Sequence, residues 1–176
     1  GNSTFVSYSI AHFLAEYLYF CGKSKKKMIQ IRPSKEDDEQ VIANFQVSMA
    51  NETESINLDK SVVIKGVKAV LDDANKGKYY VAMDDNEIVA SLLITPEWSD
   101  WRNSWVAWIQ SVYVVPEYRG KGVFKKMYNY IHQMIKDDDK YAGIRLYVDL
   151  ENKSAREVYA KLGMNGDHYQ LFEQMK

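Results

Sequence analysis

One cysteine, Cys21, in 176 residues leaves no internal disulfide to form, so stability has to come from the core, and a reducing compartment such as the cytoplasm suits the chain. The three histidines, His12, His132 and His168, stand far apart, and no Cys/His cluster has metal-ligand spacing. Net charge is -1, which provides no global field for nucleic acid, so any basic site must be local. The apolar face of Ile10, Phe13, Leu14, Tyr17 and Leu18 is too short, and too interrupted by His12 and Glu16, to span a membrane. Its lysines (Lys23, Lys25, Lys26, Lys27) come after the apolar part, the reverse of a secretory signal. No repeat or low-complexity stretch is present, and the length suits one domain with a full core.

Residues 1–27 read as an appended amphipathic helix and linker. Gly1 without a methionine reads as a remnant of expression cloning. This helix reads as docking on its own domain or on a partner, which leaves a homodimer open, with a membrane-surface anchor as the less favoured alternative. From Met28 the pattern becomes that of an α/β domain, 28–176. Met28–Arg32 alternates as a strand, and Ser34 with Glu36, Asp37 and Asp38 opens a helix with face Val41, Ile42, Phe45 and Met49. Asn51–Asp59 reads as a polar connection. A second helix comes next, with Val63, Val67, Val70, Leu71 and Ala74 inward and Gly77 as its stop. Tyr79–Met83 and Ile88–Ile94 read as strands joined by a tight turn at Asp84–Glu87. Pro96–Ser104 then reads as a loop. All four tryptophans lie in it or just after it, with Trp98 and Trp101 as candidate substrate walls and Trp105 and Trp108 as candidate strand residues.

The most informative stretch is Ser111–Met127. A β-branched run, Val112–Val115, ends at Pro116, and Arg119-Gly120-Lys121-Gly122 leads directly into a helix with Val123, Phe124, Met127, Ile131, Met134 and Ile135 on one face. A strand thus delivers a basic, glycine-bearing turn to a helix N-terminus, an arrangement suited to an anion. It contains neither the Walker spacing nor the dinucleotide G-x-G-x-x-G. After that helix, Gly143–Leu150 reads as a strand. Then comes Asn152-x-x-Ala155-x-x-x-Tyr159-x-x-x-Gly163-Met164, a short helix with Ser154 and Glu157 as an expected capping box and Gly163 as its end. Gln170–Met175 reads as a terminal strand.

These two motifs resemble those of the GNAT superfamily of N-acetyltransferases. The first is its Arg/Gln-x-x-Gly-x-Gly/Ala pyrophosphate loop, with Phe124 at the final small position; the second is its Asn-x-x-Ala-x-x-x-Tyr-x-x-x-Gly-Phe segment, with Met164 for Phe. The resemblance covers about Met28 to the C-terminus. It implies a mixed sheet of about six to seven strands flanked by about four helices, acetyl-CoA as co-substrate with no metal, and a primary amine (a small molecule or a peptide N-terminus) as acceptor. By position, Val112, Tyr113 and Val114 would offer backbone groups to the pantetheine arm. The amides of Arg119, Gly120, Lys121, Gly122, Val123 and Phe124 would hold the pyrophosphate, Asn152 would bond the arm, and Tyr159 would protonate the thiolate. The usual Glu on the strand before the glycine turn is replaced by Gln110, which cannot accept a proton. Glu97, Asp100 or solvent would take its place, and acidic residues beside tryptophans would suit a cationic amine. A non-catalytic acyl-CoA-binding module and a partner-docking protein are the two other readings.

Overall fold

The computed structural model describes residues 28–176. The expected N-terminal helix lies outside these residues. The sheet is built on a long meander. Strand β1 (Gln30–Pro33) leads through a 3-10 turn at Glu36–Asp38 into α1 (Glu39–Glu54) and α2 (Lys60–Asp72), and β2 (Lys78–Asp84) and β3 (Glu87–Ser99) form a hairpin with Asp85 at φ 53 in its turn. Strand β4 (Ser104–Val114), a 3-10 turn at Pro116–Tyr118, α3 (Val123–Lys136), β5 (Tyr141–Leu146) and α4 (Lys153–Lys161) complete the order. The strands lie as β1-β2-β3-β4-β5; all neighbours are antiparallel except β4 and β5, which are parallel.

Alternation along the strands divides the core between two faces. Tyr80, Ala82, Leu92, Ile94, Ala107 and Ile109 meet Val123, Met127, Ile131 and Ile135 of α3. On the other face Tyr79, Val81 and Leu93 pack with Ile42, Ala43 and Val67 of α1 and α2. The entry to β2 depends on Gly77. Its φ is 136, and a Cβ there would lie 2.7 Å from the Ile94 carbonyl oxygen and 2.9 Å from Leu93 Cδ1.

Four expectations need correction. The sheet has five strands among the described residues, and Gln170–Met175 is not one of them. Leu171 and Phe172 are adjacent and Glu173-Gln174 come next, so no single face of that segment is apolar; all of it is exposed. The strand expected over Gly143–Leu150 starts earlier and stops at Leu146. The stretch Pro96–Ser104 is not a loop, because β3 pairs with β4 through Ser99↔Ser104, leaving only a turn at 100–103. Pro96 is tolerated there since β2 ends opposite Ile94, which gives β3 a free edge. Finally, α4 is capped by Asn152, whose Oδ1 accepts from the Ala155 N–H at 3.0 Å, and Ser154 lies inside the helix.

Candidate active site

The site begins with a bulge. Between Ser91↔Tyr113 and Leu93↔Gln110, β4 uses one residue more than β3, and Ser111 takes φ 51. Beyond that level β4 loses its parallel neighbour: the last β4–β5 pair is Ile109↔Leu146, while β4 continues to Val114. The Val115 N–H donates to the Val89 carbonyl at 3.0 Å. Strand alternation therefore turns Tyr113 toward β3 and the backbone groups of Val112 and Val114 toward the opened edge. Of the three residues expected to meet an acyl carrier's arm, Val112 and Val114 present polar groups there and Tyr113 does not. The Val114 carbonyl already accepts from Arg119 Nε at 2.8 Å.

The glycine turn comes next. Gly120 and Gly122 have φ 70 and 76, and a Cβ added at either meets nothing within 4 Å. The backbone angle thus calls for glycine, and the face those Cβ atoms would enter is open. Gly122 caps α3 without a side-chain bond, so the first amides of the helix, including those of Val123 and Phe124, point out of the helix end with no intrahelical acceptor. Exposed Lys121, Lys125 and Lys126 add positive charge, and Lys121 Nζ sits 5.4 Å over the Tyr118 ring. This donor set fits a pyrophosphate. Arg119 serves differently from the expectation. Its N–H donates to the Pro116 carbonyl at 3.1 Å, and its guanidinium donates to Glu52 Oε2 at 2.6 Å and lies 5.4 Å from the Tyr113 ring. It anchors the turn to α1.

Glu52 escaped the sequence reading because the polar run after Met49 suggests a connection. The helix continues to Glu54 and stops at Ser55 with φ 56. The signal was present: Glu52 extends the Phe45, Met49 face by three residues. It receives the Arg119 guanidinium and the Tyr113 hydroxyl (2.9 Å), which together hold its carboxyl below the usual range.

Tyr159 of α4 is half-buried, 5.5 Å from the Phe124 ring in an edge-on contact. Phe124 also lies 6.3 Å from Tyr128 and packs on the α3 core. Its bulk is accommodated inside, away from the open glycine face. The Tyr159 hydroxyl has no hydrogen-bond partner among the described residues, and burial pushes its phenol above the usual value of 10.0. Asn152 uses Oδ1 as the helix cap and keeps its amide hydrogens for another acceptor.

On the α1–α2 face of the sheet, next to the opening, Gln110 donates to Thr95 Oγ1. Two residues further from the opening, the Trp108 indole N–H and the Arg145 guanidinium both donate to Glu97, and Tyr147 lies 6.2 Å from the Trp108 ring. Trp105 and Trp108 are strand residues of β4, as expected, but neither candidate wall, Trp98 or Trp101, lies beside the opening. Trp98 packs on Trp105 at 5.0 Å on the opposite face, and Trp101 sits on the hairpin turn at 87 % exposure. Asp100 accepts from the Trp101 N–H in that turn. Strand residue Trp108 is the one beside the opening. Glu97 has a donor on each oxygen, and its charge is paired with Arg145.

Residues 46–164, more than half of the chain, match the acetyltransferase (GNAT) family. Among solved structures, a possible acetyltransferase from Clostridium difficile 630 is 45% identical, with a TM-score of 0.78, covering 85% of this chain and 98% of its own. A predicted acetyltransferase with acetyl-CoA from Clostridium acetobutylicum shares the fold at 20% identity and a TM-score of 0.67, covering 83% of this chain and 96% of that one. So does a ribosomal-protein-alanine N-acetyltransferase from Brucella melitensis biovar Abortus 2308, at 14% identity and a TM-score of 0.70, covering 85% of this chain and 100% of that one. No curated protein matches the chain.

Proposed function

The chain belongs to the GNAT acetyltransferase family, and we propose that it moves an acetyl group from acetyl-CoA to a primary amine by direct attack, with Tyr159 as general acid. The observation that carries this reading is the opening of β4 from β5 beyond Ile109↔Leu146, flanked by the open glycine turn and by the Tyr159 hydroxyl, which has no hydrogen-bond partner among the described residues.

When bound, acetyl-CoA supplies a thioester carbonyl open to attack by a neutral amine. The amides from Gly120 to Phe124 hold the pyrophosphate, with Lys121, Lys125 and Lys126 adding charge. Val112 and Val114 bond the extended arm along the free strand edge, and Asn152 reaches it through its amide hydrogens. Tyr159 is neutral at pH 7 and gives its proton to the departing thiolate. Gln110 cannot take the amine's proton, and Glu97 is held by two donors, so that proton leaves through water. Gln110 uses Nε2 on Thr95 and can orient such a water through Oε1.

The test is a thermal shift with acetyl-CoA, CoA, ATP and NAD at matched concentrations, followed by a thiol-release assay with amines. Ligand at ~100 Kd adds about 2.7 kcal/mol to the folded state. A shift confined to acetyl-CoA and CoA, with thiol release in the presence of an amine, is expected. No shift overturns the reading, and a shift without any turnover leaves a binding module in its place.

A further inference from the structure

The polar cluster beside the opening has a sign. Glu97 accepts from Trp108 and from Arg145, whereas Arg145 donates to Glu97 and to nothing else among the described residues. A guanidinium carries five N–H donors and one is used here, whereas the Glu97 carboxylate has about four acceptor sites and two are used, so the larger unfilled capacity of this cluster lies in Arg145, whose side chain is 34% exposed against 38% for Glu97. A cationic group arriving here meets Arg145 at close range and a carboxylate whose charge is already paired. An anionic group meets a guanidinium held in place from behind.

We propose that Arg145 selects acceptors that carry a carboxylate at the end away from the reacting amine, such as a short peptide. This rests on the acetyl-transfer reading above. Arg145 is in register with Trp108, two residues before Gln110 on β4, and its guanidinium reaches back toward Glu97, opposite Val106. At about 3.3 Å per residue that places the anchoring group roughly 7–13 Å from the level where the strands part. An extended tripeptide spans about 10 Å, and the Trp108 and Tyr147 rings (56 % exposure for Tyr147) form an aromatic wall along that path. Trp108 fixes Glu97, and Glu97 fixes Arg145. The carboxylate of Glu97 is thus a positioning group, and the acceptor's own carboxylate is what Arg145 binds.

The probe pair is triglycine and triglycinamide, which share an amine and a backbone and differ in the terminal charge. Each is titrated calorimetrically into the protein with CoA present, after CoA alone. Triglycine is expected to bind roughly tenfold or more tightly than its amide. Arg145→Gln is expected to bring the two within about twofold. Its retained CoA binding serves as the check on folding. Glu97→Gln, which removes the opposing charge and keeps an acceptor for Arg145, is expected to maintain or increase the preference. Equal binding of the two probes, binding of neither, or an unchanged preference in Arg145→Gln overturns this assignment while CoA binding stands. Failure of CoA itself to bind overturns the acetyl-transfer reading instead.

Discussion

A phenol that serves as an acid has to hold its proton until the leaving group needs it. Half-burial of Tyr159 against Phe124 favours the neutral form, with the pKa raised above 10.0 by loss of solvation. Tyr159→Phe keeps the ring contact and removes only the hydroxyl, and with it the proton donor. The expected result is a fall in kcat of about 10²–10⁴-fold, with the melting temperature and CoA binding nearly unchanged, measured by thiol release and thermal shift. In the wild-type enzyme the pH profile of kcat is expected to show no decline from this group below about pH 10. Arg119 illustrates the opposite case, a motif residue whose formal charge is turned away from the expected ligand. Its bond to Glu52 gives the glycine turn a fixed starting point, and its backbone N–H is closed on Pro116.

Two features of single elements determine where the site lies. The bulge at Ser111 shifts β4 by one residue and leaves Val112 and Val114 facing an edge with no β5 partner. The last turn of α1 brings Glu52 to that edge. The other end of α1 is tied to β1 by Asp38, which is 5% exposed and accepts from Arg32 at 2.6 and 2.9 Å and from the Lys35 N–H at 2.7 Å. Burial alone would raise the Asp38 pKa. The Arg32 guanidinium and the Lys35 N–H outweigh it and hold the carboxyl below the usual aspartate range. A carboxyl with a depressed folded pKa contributes stability above its unfolded value of about 3.9, and that contribution is lost as pH falls through the folded value. Arg32→Ala is therefore expected to lower stability by about 2 kcal/mol near pH 7. The gap to wild type should narrow progressively below about pH 4, as followed by urea melts across the range.

At the scale of the molecule, the sheet is covered by α3 on one face and by α1 and α2 on the other, and the chain's last packed residues are Leu162 and Met164. The end of α4 is closed by bonds from the Gly163 N–H to Ala160 and from the Met164 N–H to Tyr159, which satisfies its final carbonyls without help from the tail. Residues 165–176 are exposed throughout and outside any strand. Truncation after Met164 is expected to leave the melting temperature within about 2 °C and CoA binding intact; a drop on the order of 8 °C or more, which for a domain of this size signals several kcal/mol, would mean that the tail contributes to the core.

Local chemistry was legible before any fold was known. The β-branched run Val112–Val115, the glycines at 120 and 122, and the Asn152–Ala155–Tyr159–Gly163 spacing depend on neighbours within a few residues, because caps, turns and helix faces are short-range objects. The 3.6-residue periodicity of α3 was readable for the same reason. What the sequence left open were pairings across distance. Trp98 and Trp108 have similar local settings, and only the register of β3 against β4 puts one on the hairpin's far face and the other beside Glu97. Glu52 and Arg119 are 67 positions apart in sequence, and Glu97 and Arg145 are 48 apart; no local pattern marks either pair. The number of strands was likewise a tertiary matter, since a strand exists only where it pairs with an edge, and Gln170–Met175 pairs with none among the described residues.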